Sequence, residues 1–206
     1  MSTRVLIAVP TYENITPDTF RSIYGLDQAG CECIFNFIRG YDCAAARNNI
    51  AREALKVNAD YVLMVDNDVV LPADALVNLL DDPKEVCLGY YPHRNPENMY
   101  DGKVNICRLG EYNYTWQYPA LELLQMRDKG EYKVEVHGGG LGCALINVDL
   151  FRRFQYPWFA WVNYKDGGVL SEDLFFCECC KHNNIPVYTD TRVACGHLLR
   201  HLQWPA

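Results

Sequence analysis

Short apolar runs alternate with amphipathic stretches through the first 80 residues, and this alternation constrains the fold more than any other feature. "VLIAVP" (5–10), "CIFNFI" (33–38) and "YVLMV" (61–65) read as buried strands. Between the first two, "TPDTFRSIYGLDQ" (16–28) reads as a helix, with Thr16 as cap and Pro17 in the first turn. Between the second and third, residues 42–58 place Ala46, Ile50 and Ala54 four apart, joined by Leu55, after a capping Asp42. A shorter helix is expected over 72–82. Strand–helix alternation implies a mainly parallel α/β sheet flanked by helices, with right-handed crossovers. Ligands of such sheets bind beyond the carboxyl ends of the strands. Pro10-Thr11-Tyr12-Glu13, Arg39-Gly40-Tyr41-Asp42 and Asp66-Asn67-Asp68 all fall there, so they are expected to converge on one crevice.

The second half is less regular. "EVCLGYYP" (85–92) and "KVNICRL" (103–109) read as strands, with loops at 93–102 and 111–130 and a short helix within 119–129, and "YKVEV" leads into the next stretch. "HGGGLGCALINVDLFRRF" (137–154) places a glycine turn before a strand and a short helix. "SEDLFFCECCKHNN" (171–184) reads as a helix capped by Ser171, with Glu172 and Asp173 in its first turn. One or two strands close the chain. No repeat or linker interrupts 206 residues that are 50% hydrophobic, which suits a single domain over 1–206, divided into halves at 1–92 and 93–206.

The formal net charge of -7 argues against generic binding of nucleic acid or anionic membrane. No apolar stretch approaches the roughly 18 residues of a membrane helix. "MSTRVLIAVP" lacks the length and cleavage site of a signal peptide, so a cytoplasmic protein is expected. The ten cysteines lie mostly in apolar or helical stretches and read as reduced and buried. Zinc held by Cys31, Cys33, Cys177, Cys179 and Cys180 is the sharper alternative, weakened by the lack of paired C-x-x-C spacing.

Asp66-Asn67-Asp68 carries the strongest chemical signal. Burying a bare carboxylate is costly unless it is paired or binds a metal. A D-x-D at the mouth of a strand offers hard oxygen ligands suited to Mg²⁺ or Mn²⁺; the bland alternative is a turn. His197 in "VACGHLL" would add a nitrogen ligand beside Asp68 and favour Mn²⁺. Glu172 and Asp173 suit helix capping, or general-base work on an acceptor hydroxyl. Gly139 and Gly140 let a ligand approach the backbone closely, without matching a dinucleotide or P-loop pattern. Trp158 and Trp161 offer faces for a sugar ring, or simply core packing.

Taken in order, "VLIAVPTYE", "ARNNIAREAL", "ADYVLMVDNDVVLP", "GGGLGCALINVDLF", "SEDLFFCECCKHNNIPVYTDT" and "CGHL" resemble small glycosyltransferases of the GT-A fold, close to family 2. The resemblance spans nearly the whole chain. It implies a nucleotide-diphosphate sugar donor, a hydroxyl acceptor of unspecified kind and a divalent metal, Mn²⁺ or Mg²⁺. It implies that Pro10, Thr11, Tyr12, Glu13, Asp42, Arg47, Asp66, Asn67, Gly139 and Gly140 surround the nucleotide sugar. It places Asp66, Asp68 and His197 at the metal, and Asp173, in its pair with Glu172, as catalytic base of an inverting transfer. Trp158 and Trp161 would meet the acceptor. "GYDCAA" replaces the familiar DDGS stretch, and the Q-x-x-R-W motif of processive synthases is missing. The loops at 93–102 and 111–130 would close over the donor and exclude water. A nucleotidyltransferase would show a glycine- and basic-rich loop after the first strand, which "PTYENITPDTF" lacks. A non-catalytic nucleotide-sugar or carbohydrate-binding module would have no use for Asp173.

Overall fold

The three early strands form where the apolar runs place them: β1 (Arg4–Thr11), β2 (Glu32–Arg39) and β3 (Tyr61–Val65), parallel in the order β2-β1-β3. The computed structural model describes residues 2–11, 14–93, 102–109, 115–165 and 167–198. Helices α1 (Pro17–Tyr24) and α2 (Cys43–Lys56) make the crossovers. The Thr16 hydroxyl accepts the Thr19 N–H at 3.3 Å, and Asp42 accepts the Ala45 N–H at 2.7 Å, so both expected caps are in place. The chain continues through β4 (Val69–Val70), α3 (Ala75–Leu80), β5 (Val86–Tyr90), β6 (Lys103–Leu109), β7 (Thr115–Pro119) and α4 (Ala120–Asp128). It then forms β8 (Lys133–Val136), β9 (Gly138–Gly139), β10 (Cys143–Asn147) and α5 (Leu150–Arg153). It ends with β11 (Val162–Asn163), β12 (Val169–Leu170), α6 (Glu172–His182), β13 (Val187–Ala194) and β14 (Gly196–His197).

The central sheet has seven strands in the order β2-β1-β3-β10-β5-β13-β8. It is mixed, which corrects the mainly parallel sheet expected from the sequence. β10 runs against both β3 and β5, and β8 runs against β13. The cause lies in how the chain arrives. β6, β7 and β9 form a separate antiparallel sheet in the order β7-β6-β9, and the backbone N–H of Asp66, just past β3, bonds the carbonyl of Gly142, which leads into β10. β10 therefore enters at the carboxyl end of β3 and returns down the sheet. Within 111–130 the expected short helix is α4 (Ala120–Asp128), whereas Thr115–Pro119 forms strand β7 where a loop was expected. Residues 94–101 and 111–114, on which the closing-loop expectation rests, lie outside the described residues.

Alternate residues of each strand feed two cores, one on each face of the sheet. Leu6, Ala8, Val62 and Met64 pack with Ile50, Ala51 and Ala54 of α2 and Phe176 of α6. Val5, Ile7, Val9, Leu63 and Val65 pack with Ile23 of α1 and Leu76 and Leu79 of α3. Cys31 and Cys33 sit against the second core and Cys179 and Cys180 against the first. The sheet thus separates cysteines that a shared zinc would need together. All ten cysteines carry free thiols.

Candidate active site

Arg47 is the centre around which the site is built. It projects from the apolar stripe of α2 and is only 2% exposed. Its guanidinium meets Asp66 at 3.0 Å, Asp173 at 3.0 Å and Glu172 at 3.5 Å, and donates to the Leu141 carbonyl at 3.4 Å. Burial alone would push its pKa down; Asp173, Asp66 and Glu172 more than reverse this and hold it charged. Glu172 is itself buried, so its place is behind the site. One cation thus faces three carboxylates, and the excess negative charge points outward.

Asp66, Asp68, Asp173, Gly140 and His197 line one cavity of about 360 Å³ at the carboxyl ends of the strands. Asp173 leaves a fifth of its side-chain surface open to it. Its Oδ1 lies close to Arg47 Nε without an aligned hydrogen bond to any group. Burial raises the Asp173 pKa to about 7, with Glu172 and Asp66 adding to the rise and Arg47 and the Leu141 backbone opposing it. A carboxyl so poised exchanges protons near neutrality.

The two aspartates of D-x-D part company. Asp66 gives both carboxylate oxygens to Arg47, at 3.0 and 3.3 Å. Asp68 turns instead toward His197, whose Nε2 lies 3.7 Å from its Oδ1. The two-residue ladder of β14 on β4 sets that meeting, with His197 opposite Val69 and the Leu198 N–H on the Asp68 carbonyl at 2.8 Å. His197 Nδ1 is 2.8 Å from the Pro92 carbonyl, which can only accept, so Nδ1 carries the hydrogen. In the neutral ring Nε2 is then the acceptor nitrogen, on the Asp68 side.

Several expected residues sit elsewhere. Asn67 donates to the Asn14 carbonyl at 2.7 Å and accepts the Thr16 N–H on its own carbonyl at 3.0 Å, tying the α1 entry to the D-x-D turn. Pro10 and Thr11 end β1, with the Thr11 hydroxyl on the Asn14 carbonyl; Tyr12 and Glu13 lie outside the described residues. Asp42 is an exposed helix cap. Gly139 is buried against Ile106. Trp158 is 8% exposed and packs on Phe151, its indole donating to the Phe154 carbonyl at 3.3 Å, while Trp161 stands 48% exposed. Asn67, Pro10, Thr11, Asp42, Gly139, Trp158 and Trp161 are not among the described residues that line the cavity.

Sequence reasoning missed Tyr91 and Asn105, which also line it. The buried Tyr91 hydroxyl accepts the Gly142 N–H at 3.1 Å, and its ring meets the His197 ring edge-on at 5.1 Å. Asn105 accepts the Tyr91 N–H at 2.8 Å and donates to the Gly140 carbonyl at 3.1 Å. A Cβ on Gly140 would stand 2.5 Å from the Tyr91 hydroxyl, and one on Gly142 would stand 2.8 Å from an Asp66 oxygen. The glycines are thus needed where the backbone presses on Tyr91 and Asp66. Tyr91 sits at the carboxyl end of an expected strand, the one signal that points to it.

No protein-family model and no curated protein sequence matches the chain. Solved structures do. GalNAc-T7 with UDP, GalNAc and Mn²⁺ superposes over 95% of this chain at a TM-score of 0.61 and 10% identity. In fold the chain is similar to GT-A glycosyltransferases. A Drosophila β1,4-galactosyltransferase 7 mutant in complex with manganese, UDP-Gal and xylobiose shares the GT-A fold over 95% of the chain, at a TM-score of 0.51 and 16% identity. A197 from STIV matches over 96% of this chain and 86% of its own, at a TM-score of 0.59 and 18% identity. The chain spans 44% of the GalNAc-T7 chain and 71% of the galactosyltransferase.

Proposed function

We propose that this chain is a metal-dependent glycosyltransferase that moves a sugar from a nucleotide-diphosphate donor to a hydroxyl acceptor with inversion. The observation that carries the reading is the convergence of Asp68, His197 and Asp173 on one cavity in a GT-A fold. The GT-A proteins it resembles were solved with UDP and Mn²⁺, and with UDP-Gal and manganese. A carboxylate beside an imidazole nitrogen fits Mn²⁺. A divalent cation there would offset the charge of a departing nucleoside diphosphate. Asp66, bound to Arg47, lines the same cavity beside this pair.

The chain's own groups supply the rest. Arg47 fixes Asp173 from behind, so the carboxylate approaches an acceptor hydroxyl in a set direction. With a pKa near neutrality, Asp173 takes the hydroxyl proton as the oxygen attacks the anomeric carbon. Attack from the face opposite the leaving diphosphate gives inversion.

Calorimetry with UDP and with GDP, in Mn²⁺ and in EDTA, tests the donor side. Binding is expected in Mn²⁺ alone and is expected to be lost in Asp68→Ala at unchanged folding. Equal affinity in EDTA would end the metal-dependent reading. Tight binding with no hydrolysis or transfer of any nucleotide sugar would favour a non-catalytic module.

A further inference from the structure

The two edges of the central sheet are treated very differently. β8, at one edge, is four residues long and carries Lys133 and Glu135. Short length and charge are the usual protection of an edge against pairing. β2, at the other edge, has eight residues, and from Cys33 to Ile38 it carries neither charge nor proline. Phe35 and Phe37 stand 40% and 41% exposed on one face of it, ring edge to ring face at 4.7 Å. Among the described residues, β1 and α2 are the elements that pack closely on β2.

The open edge also has a defined set of backbone groups. The Glu32 N–H bonds the Thr3 carbonyl on the β1 side. In a parallel ladder alternate residues bond alternate neighbours, so Ile34, Asn36 and Ile38 follow Glu32 toward β1. Cys33, Phe35 and Phe37 point their N–H and C=O groups outward.

We propose that β2 is a dimerisation edge, on which a second copy of this chain pairs its own β2 antiparallel about a two-fold axis at Asn36. The segment is self-complementary in that register. Phe35 falls opposite Phe37 of the partner subunit, and both are residues whose backbone groups face outward, as a hydrogen-bonded antiparallel pair requires. Ile34 and Ile38, whose backbone groups bond β1, fall opposite each other as a non-hydrogen-bonded pair on the other face. Four phenylalanine rings join into one apolar patch, each pair opposite at a distance that favours aromatic contact. The register sets no like charges against each other. That matters for two chains of net charge -7, because their approach is tolerable only along a neutral seam. A single strand pairing plus four half-exposed rings is a small interface, so a dissociation constant in the micromolar range is expected. This inference does not depend on the proposed activity.

Light scattering across a concentration series tests it. The wild-type chain is expected to pass from monomer to dimer, and added salt should favour the dimer by screening the overall repulsion. The double variant Phe35→Lys, Phe37→Lys should remain monomeric with an unchanged circular dichroism spectrum. Hydrogen exchange gives an independent readout that needs no variant: the Phe35 and Phe37 amides should become protected as concentration rises, while those of Ile34 and Asn36 stay protected throughout. A wild-type chain that is monomeric at all concentrations overturns the proposal. So does a dimer that survives both lysines, or one that leaves the Phe35 and Phe37 amides in fast exchange. A chain that stays monomeric but captures another protein's strand on this edge would likewise refute the second copy as occupant.

Discussion

At the scale of single residues, the site is a buried cation shared among carboxylates, and each partner's removal has a sign. Arg47→Ala would leave Asp66, Glu172 and Asp173 to repel one another without compensation. Breaking a buried pair in this way typically costs about 3–5 kcal/mol, so a large drop in the urea midpoint is expected. Asp173 behaves in the opposite sense. Its pKa of about 7 in the folded chain lies above the ordinary 3.8, so the folded state holds its proton more tightly than the unfolded chain. The stability this proton contributes is complete below about pH 4 and is lost as pH rises through about 7. Asp173→Asn cannot ionise and should raise the melting temperature at pH 8, by about 2–6 °C, with little gain at pH 4. The same variant should lower transfer about 10²–10⁴-fold, the usual contribution of a general base, with donor affinity little changed. In the wild type, kcat/KM should climb through pH 6–7 and level off above it, because the base must be free of its proton. A variant that is less stable at pH 8 and turns over normally would make Asp173 a helix-capping residue only.

At the scale of elements, the loop from β9 to β10 is shaped by Tyr91 at the end of β5. Gly140→Ala would push its methyl against the Tyr91 hydroxyl, and overpacking of this kind costs about 1–3 kcal/mol. With the hydroxyl gone, the nearest atoms stand 3.5 Å away, an ordinary contact. Gly140→Ala is therefore expected to be far cheaper in a Tyr91→Phe background, and a double-mutant cycle on denaturation free energies should show coupling of about 1 kcal/mol or more. Additive effects would mean that the loop yields instead. The contact was not legible in the sequence, because it joins residues about fifty apart through a glycine turn with no pattern of its own. What was legible followed from period and caps. The apolar runs, Thr16, Asp42 and Ser171 located the main strands and helices of the sheet. The direction of β10 was hidden because a strand buried on both faces reads the same either way along the sheet. The β4–β14 ladder that brings His197 to Asp68 is two residues long, too short for any period to register. Arg47 did carry a signal, lying three and four residues before Ile50 and Ala51 on the buried stripe of α2. A charged residue placed there has to find carboxylates.

At the scale of the molecule, two cores lie on opposite faces of one sheet, and the single-domain reading requires them to unfold together. The cysteines can report this. Cys180 is buried in one core, and Cys87, Cys143 and Cys195 are buried in the other. Burial pushes the Cys87 thiol pKa up to about 12 and raises that of Cys180 well above the ordinary thiol value, so neither holds a reactive thiolate at neutral pH. Cys43 alone is exposed, and Cys31, Cys33 and Cys179 are half-buried. A thiol reagent added to the native chain should modify Cys43 fastest and those three more slowly, leaving the buried set untouched. Pulsed labelling across a urea series, read by peptide mass spectrometry, should then show Cys180 and the Cys87, Cys143 and Cys195 set becoming reactive at the same midpoint. The shared strands are the reason. Leu63 and Met64 are neighbours in β3 yet face different cores, so one core cannot lose its strand without exposing the other. Labelling of Cys180 at a clearly lower urea concentration than the other three would divide the chain into separately folding units and refute a single cooperative domain.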